Sequence, residues 1–479
     1  MTLRQKTLVG FFWSLTQQFG VQITTIVVTI FLARILDPSD FGLLGMLAIF
    51  MALGNSLIDA GMTSSLIRTK KADQVDFSTV FFINLGIGFV VYLIMFVSSE
   101  LISDFFNQPL LEKIIKVYCL TFLIYPFSAV QRTRLVKLMD FKTELKVTIP
   151  SIVIGSIVGL TFAFYGFGVW ALIWMNLIQN LLLSLQFWFY SKWRPSWVLD
   201  WERFHYHFKF GAKLTLAGII NSIFSNIYHL IIGKYFSIAQ LGYYTKADSL
   251  KQIPVKNISS TLSKVTFPMF SEIQDDEEKL KVSYKRIMQQ VLFWLTPVMA
   301  LSSVLAEPLF RFVLTEKWVP AVPYFQILCF VGLMFPIHSY NLNILKVKGR
   351  SDLFLRLEII KKSLTIFGVL IALPHGVFAL LWTQVVLNVV AFGINSYFSG
   401  RFIGYPVWNQ VKDISPIFLM GAIAGLLGWI GKGLAINSSW VDFMQLIIGG
   451  IFGVSVYVFF SWIFQIQPFI DFRKVILKR

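Results

Sequence analysis

The apolar stretches of this chain come in two sets, the second echoing the first about 200 residues later. The first loop reads Ala33-Arg34-Ile35-Leu36-Asp37-Pro38-Ser39-Asp40-Phe41-Gly42. At an offset of 200 the chain reads Gly233-Lys234-Tyr235-Phe236-Ser237-Ile238-Ala239-Gln240-Leu241-Gly242. A small residue, a base, a polar turn, a bulky apolar residue and a glycine recur in register. Further on the offset is 210, so that Cys119 falls on Cys329 and Tyr125-Pro126-Phe127 on Phe335-Pro336-Ile337. The offset grows across the acidic-basic stretch from Glu272 to Lys279, which is longer than its counterpart at 67–78. Two repeats built from apolar spans are the usual plan of a secondary transporter.

The chain is 56% hydrophobic and only 14% charged, against about 25% charged residues in soluble domains. So much apolar surface has to face lipid. A bilayer core of roughly 30 Å needs about 20 apolar residues per helix, and about fourteen runs of that kind are read here. They extend from 8–33 to 440–466, with the eighth at 242–271 and the eleventh at 355–374. The runs are too long and continuous for the alternating strands of a barrel. The bases after Met1 precede a run too long, and without the cleavage site, for a signal peptide; it is read as the first span. The expected fold is an all-α polytopic membrane protein: two parallel six-helix repeats plus two extra C-terminal helices. Its expected domains are 1–206, 207–400 and 401–479.

The net charge of +17 is spread in short clusters between apolar runs, which argues against a nucleic-acid stripe and for positive-inside orientation. With the N-terminus cytoplasmic, the inward loops and ends hold 31 of the 42 Lys and Arg; the outward loops hold seven and the eighth span the other four. An even number of spans puts both termini in the cytoplasm, and six spans per repeat give both halves the same orientation.

Polar residues enter the membrane in four of these spans. In the eighth, Thr245, Ser249, Gln252, Lys256, Ser259 or Ser260 and Ser263 recur at steps of three and four, lining one helical face. A lysine at membrane depth costs about 2.5–3.5 kcal/mol on insertion scales and normally faces a wet cavity or a partner. Lys256 and Lys251 are therefore candidate binding residues, although Asp248 and Lys251 stand at i,i+3 and can pair with each other. Lys246 and Lys264, nearer the ends, are expected to snorkel. In the second span Asn55 and Asp59 share a face. In the first, Gln18 and Gln22 do so; in the seventh, Asn221, Ser225 and Asn226 cluster near His229. Such amides suit sugar hydroxyls, and they equally glue helices together.

No phosphate-cradling loop, metal-ligand cluster or nucleophile elbow is present, so no enzyme activity, cofactor or metal is expected. Cys119 and Cys329 read as small packing residues.

The segment Phe31-Leu-Ala-Arg-Ile-Leu-Asp-Pro-Ser-Asp-Phe-Gly-Leu-Leu-Gly45, with Leu57-Ile-Asp-Ala-Gly61, Asp104-Phe-Phe-Asn-Gln-Pro109 and Leu241-Gly-Tyr-Tyr244, resembles the bacterial polysaccharide transporter family, the Wzx-type flippases. The colanic acid and teichuronic acid exporters are the subgroup it is most similar to. The resemblance implies the fold of the multidrug/oligosaccharidyl-lipid/polysaccharide superfamily, with two bundles around a central cavity. It also implies transfer of an undecaprenyl-diphosphate-linked oligosaccharide from the cytoplasmic to the periplasmic leaflet of the bacterial inner membrane. Membrane lipids, a polysaccharide polymerase and chain-length proteins are the partners it implies. A cationic cavity suits a diphosphate. The competing expectation is an ion-coupled multidrug antiporter of the same superfamily, which calls for carboxylates and aromatics where the eighth span carries lysines.

Overall fold

The computed structural model describes the backbone of residues 3–434 and 441–477, and within these the side chains of 13, 14, 16–259, 266, 269–434 and 441–474. Among them the regular elements are all helical. In chain order they are α1 (Leu3–Ile35), α2 (Pro38–Asp59), α3 (Met62–Arg68), α4 (Gln74–Val97), α5 (Ser99–Phe106), α6 (Pro109–Tyr118), α7 (Thr121–Leu138), α8 (Phe141–Phe164), α9 (Val169–Tyr190), α10 (Trp201–Ser225), α11 (Ile227–Tyr235) and α12 (Ile238–Glu272). Then follow α13 (Glu277–Val304), α14 (Ala306–Leu314), a 3-10 turn (Glu316–Ala321), α15 (Val322–Val347), α16 (Ser351–Ala372), α17 (Val377–Phe402), α18 (Val407–Gly433), α19 (Val441–Ile463) and α20 (Gln467–Leu477).

The order of these elements repeats. The short helices α5 and α6 correspond to α14 and the 3-10 turn. The helices α7 and α15 each carry an internal proline, Pro126 and Pro336, and α8 and α9 correspond to α16 and α17. The sequence repeat at offset 200 has a physical basis. Asp37 and Asp40 close a capping box ahead of Pro38, with the Asp37 N–H donating to Asp40 Oδ2 at 3.0 Å. Ser237 and Gln240 do the same for α12: the Ser237 N–H donates to Gln240 Oε1 (3.1 Å), and the Gln240 N–H to Ser237 Oγ (3.2 Å). Each box satisfies helix N-terminal groups that would otherwise lack partners.

The two turns also meet. A Cβ on Gly42 would lie 2.1 Å from the Ile238 carbonyl oxygen, and one on Gly242 would lie 1.8 Å from that of Pro38. The reciprocity, 42 on 238 and 242 on 38, is what a local two-fold relation between the turns produces. Only glycine allows backbones to approach this closely.

Contacts divide the chain into two compact units, residues 1–242 and 243–479. In the first, α1 lies on α8, α8 on α9, and α7 on α4 and α9. The seventh span, α10 and α11, belongs to this unit as well, with α10 packed on α2, α3 and α4. Gly211 of α10 meets Gly61 backbone to backbone. Where the equivalent α1 packs on its own repeat, α10 has a different set of neighbours. In the second unit α15 packs on α13 and α17, and α18 on α13 and α19. The α18–α19 contact is built on small residues: a Cβ on Gly449 would lie 2.8 Å from the Gly428 carbonyl oxygen. Close backbone approach is how helices associate where no hydrophobic effect drives them together.

Among the described residues, eleven helices are long and apolar enough to cross a membrane, twelve if α10 and α11, bent by 43°, form one broken span. The expected fourteen are thus confirmed only in part. The two remaining places are occupied by α12 and α16, which are helical and long enough but too polar. Charged side chains interrupt α12 from Lys246 to Glu272 and α16 from Asp352 to Lys362. The loops expected to face inward are also short. Only Met139 and Asp140 separate α7 from α8, and Lys279 to Arg286 form the opening turns of α13. Several base clusters are therefore parts of helices rather than of loops; a 35-residue helix such as α12 is about 52 Å long, more than a bilayer core needs.

Candidate functional site

The polar stripe of α12 is split by its surroundings. Ser249 and Lys256 are exposed and Gln252 is half-buried, whereas Thr245 is largely covered and Ser259 is buried. The side chains of Ser260, Ser263 and Lys264 lie outside the described residues. Lys251 is buried beside Gly332 of α15, and its ammonium reaches Asp248 Oδ1 at 2.5 Å. Gln252 donates to the other carboxylate oxygen at 2.7 Å. Asp248 thus ties Lys251 and Gln252 together at i,i+3 and i,i+4. Lys246, expected to snorkel, is instead buried, with its ammonium 5.2 Å from the ring centroid of Trp318. Lys256 differs from both: it is exposed, and it makes neither an ion pair nor a hydrogen bond among the described residues.

The other expected residues fall at helix faces and breaks. Gln18 and Gln22 are half-buried on α1. Asn55 is exposed near the end of α2. Asp59 ends that helix half-buried, with one carboxylate oxygen, Oδ1, buried and lacking a hydrogen bond. Asn221 and Ser225 are exposed on α10. Asn226 occupies the bend between α10 and α11, and its side-chain amide donates to the Ser222 carbonyl at 2.8 Å. His229 is buried in α11.

Two polar clusters were not expected from the sequence. In the first unit, Asp76 of α4 and His207 of α10 are fully buried and pair at 3.2 Å. Ser65 of α3 bonds the other ring nitrogen at 2.8 Å, and Arg203 reaches Asp76 at 3.2 Å and Asp73 at 3.4 Å. The backbone N–H of Asp76, with the Arg203 guanidinium near it, holds the Asp73 carboxyl below the usual carboxylate range. A Ser–His–Asp array suggests hydrolysis, but Ser65 is 1% exposed, so no substrate reaches it. It is a clasp between α10 and α3–α4; breaking such a buried pair costs about 3–5 kcal/mol.

In the second unit, His338 of α15 lies between two amides of α17. Its Nε2 is 3.2 Å from Asn388 Oδ1, and its Nδ1 is 3.3 Å from Asn395 Nδ2. On α16, Glu358 accepts from Lys361 at 2.5 Å, with Lys362 at 3.9 Å. All three side chains are less than a quarter exposed, within the stretch 355–374 expected as the eleventh span. The clue in the sequence is their spacing from Glu358, i,i+3 and i,i+4 on one helical face. One step along α15, Asn341 accepts from Tyr284 (2.8 Å) and Ser399 (2.5 Å) and donates to Ser396 (3.0 Å). This second array joins α13, α15 and α17.

Two cavities, of about 430 and 450 Å³, are lined almost wholly by apolar side chains. Neither contains the polar residues above. Among the described residues no group of acids, histidines and cysteines is placed to hold a metal ion. Both cysteines are free and buried.

A family model described as "Polysaccharide biosynthesis protein" matches residues 31–323. The lipopolysaccharide biosynthesis protein WzxC of Escherichia coli (strain K12) is 28% identical over 373 residues, covering 78% of this chain and 76% of that one. The teichuronic acid biosynthesis protein TuaB of Bacillus subtilis (strain 168) is 24% identical over 385 residues, 78% of each chain. Among solved structures, the lipid II flippase MurJ in its inward closed conformation is similar with a TM-score of 0.73 at 14% identity, covering 95% of this chain and 98% of that one. An inward-facing multidrug resistance MATE family transporter gives 0.60 at 14% identity, covering 79% and 94%. At such identities the structures speak to the fold alone.

Proposed function

We propose that this chain, which belongs to the polysaccharide biosynthesis protein family, is a flippase that carries an undecaprenyl-diphosphate-linked oligosaccharide from the cytoplasmic to the outer leaflet by alternating access. The observation that carries this reading is Lys256. A cation near the middle of a 35-residue helix cannot rest in hydrocarbon unpaired, and among the described residues it has no ion-pair or hydrogen-bond partner; an anionic head group supplies one. The amides Gln18, Gln22, Asn55, Asn221, Asn226 and Gln252, with Ser225, offer hydrogen bonds to sugar hydroxyls. Asp59, with its unpartnered oxygen, is a further candidate to meet the cargo or a proton. The similarity to a multidrug transporter is one of fold, and the lysines of α12 favour an anionic cargo over a cationic drug. A polysaccharide polymerase and chain-length proteins are the partners that would receive the product. The repeats in this reading are 1–206 and 207–400, with 401–479 added; α10 and α11 open the second repeat while packing in the first unit. Reciprocal capping boxes at offset 200 support that boundary.

Deleting the gene is expected to deplete the surface polysaccharide and to raise the pool of undecaprenyl-diphosphate-linked repeat units. Unchanged polysaccharide together with new drug sensitivity would favour the antiporter.

The base-rich helix ends support a bacterial cytoplasmic membrane location with both termini inside. A cysteine replacing Lys70 should react with an impermeant maleimide only after the membrane is opened, and one replacing Asn107 in intact cells. The reverse pattern inverts the topology.

A further inference from the structure

The amides around His338 fix its tautomer. Asn388 is anchored through its own NH2, which donates to the Gln384 carbonyl at 2.8 Å, so its Oδ1 is left as the acceptor facing Nε2. The ring therefore carries its hydrogen on Nε2. Nδ1 is left as an acceptor and receives the NH2 of Asn395. The remaining atom of that amide is telling: Asn395 is 1% exposed, and its Oδ1 is buried without a hydrogen-bond partner. An unmet carbonyl inside a protein costs about 1–3 kcal/mol. Turning the amide over would place that oxygen against Nδ1, where it can accept only if Nδ1 carries a proton. The two states differ in what faces the ring; in the second, the Asn395 NH2 takes the position of the unmet oxygen. With the ring neutral, one acceptor is unmet; with the ring doubly protonated, both N–H groups meet amide oxygens.

The charged groups acting on the ring are Glu358 and Lys361, both from α16. The other face of the site, α17, contributes amides. The bases of α13, which also packs on α15, lie in its opening turns, where Lys279, Lys281, Lys285 and Arg286 pair with Asp276, Glu278, Asp413 and Asp471. Arg311 of α14 is engaged by Glu307, Glu316 and Asp442. Asp248 of α12, which reaches α15 through Lys251 at Gly332, is paired with that lysine. Among the described residues Glu358 is therefore the carboxylate acting on the ring that could balance an imidazolium, and its pairing with Lys361 is what would have to loosen. Pro336 stands two residues before the histidine, inside the helix. It removes a backbone donor there and lets α15 bend.

We propose that His338 is a proton-binding site of the transport cycle, taking a proton on Nδ1 between Asn395 and Asn388 so that cargo movement is tied to proton movement. A proton from water adds to the Nδ1 lone pair, giving an imidazolium; its return leaves the neutral Nε2–H ring described above. Nothing else is consumed. This rests on the flippase reading, because a proton site in a membrane helix matters only if something is moved against it.

The test uses the full-length protein in liposomes containing undecaprenyl-diphosphate-linked oligosaccharide, with the membrane potential clamped at zero and a pH gradient of one unit imposed. If one proton moves per cargo, the steady-state ratio of cargo between leaflets should shift by about tenfold. His338→Gln keeps an amide-bonded side chain of similar reach but cannot hold the charge. It is expected to equilibrate cargo between leaflets, with a ratio that stays near one whatever the gradient. A His338→Gln protein that shifts the ratio as the wild type does overturns the proposal. A wild type that equilibrates cargo but ignores the gradient overturns it too, leaving the flippase reading intact. A wild type that moves no cargo in either condition overturns both.

Discussion

Gly242→Ala should be among the most damaging single-methyl changes in the chain. Its Cβ would lie 1.8 Å from the Pro38 carbonyl oxygen and 2.6 Å from the Pro38 carbonyl carbon. No side chain can swing aside there, because the obstacle is backbone. Pro38 cannot retreat easily either; it opens α2 inside the capping box of Asp37 and Asp40. The two helix starts would have to separate by more than 1 Å, a displacement of the kind that overpacking imposes at about 1–3 kcal/mol or more. Gly42→Ala should behave alike, since its Cβ would fall 2.1 Å from the Ile238 carbonyl oxygen. Gly86→Ala is the control: that glycine lies mid-helix in α4 with nothing within 4 Å of the added methyl. Thermal unfolding in detergent and surface polysaccharide in a complemented deletion strain give the comparison. Both measures should fall for Gly42→Ala and Gly242→Ala and hold for Gly86→Ala. Equal behaviour of all three would mean that the helix starts do not cross as described.

That crossing also shows which parts of the fold are legible in the letters. A capping box acts across three residues, so Asp37 with Asp40 and Ser237 with Gln240 reveal themselves locally, and their recurrence exposes the repeat. The closeness of Gly42 to Ile238 is not local; the glycines mark the places without naming the partners. The Asp76–His207 pair is hidden for the same reason, its members standing 131 residues apart. Charge counting has a different blind spot. It counts Lys361 and Lys362 among the inward bases although both fall inside the eleventh span, and in the helix that begins at Ser351 Glu358 compensates them. The same compensation, by Asp248, takes Lys251 out of reach of a ligand, although its depth in α12 is close to that of Lys256. Depth can be read from sequence. Whether a buried charge already has its partner depends on the rotamers and neighbours that packing selects.

The difference between those two lysines gives the second large effect. Lys256→Ala removes a cation that no group among the described residues pairs with, so insertion and thermal stability should remain close to wild type while export falls to background. Loss of a charge-assisted contact to phosphate is worth about 1.5–3 kcal/mol, or roughly ten- to a hundredfold, even before transport geometry is considered. Lys256→Arg should retain part of the export, because a guanidinium keeps the charge and also bonds phosphate oxygens, though with a different shape. Lys251→Ala should fail in another way. It leaves the Asp248 carboxylate, 14% exposed, without its cation in a covered site, and the expected result is less folded protein in the membrane. Measuring membrane content and polysaccharide export for all three variants separates a ligand-binding lysine from a structural one. Full export by Lys256→Ala at wild-type membrane levels would remove this residue from the binding site. Loss of Lys256→Ala from the membrane would assign it a structural role like that of Lys251. The predicted split, protein present and cargo unmoved, is the outcome expected of a cation in the middle of α12 that pairs with nothing among the described residues.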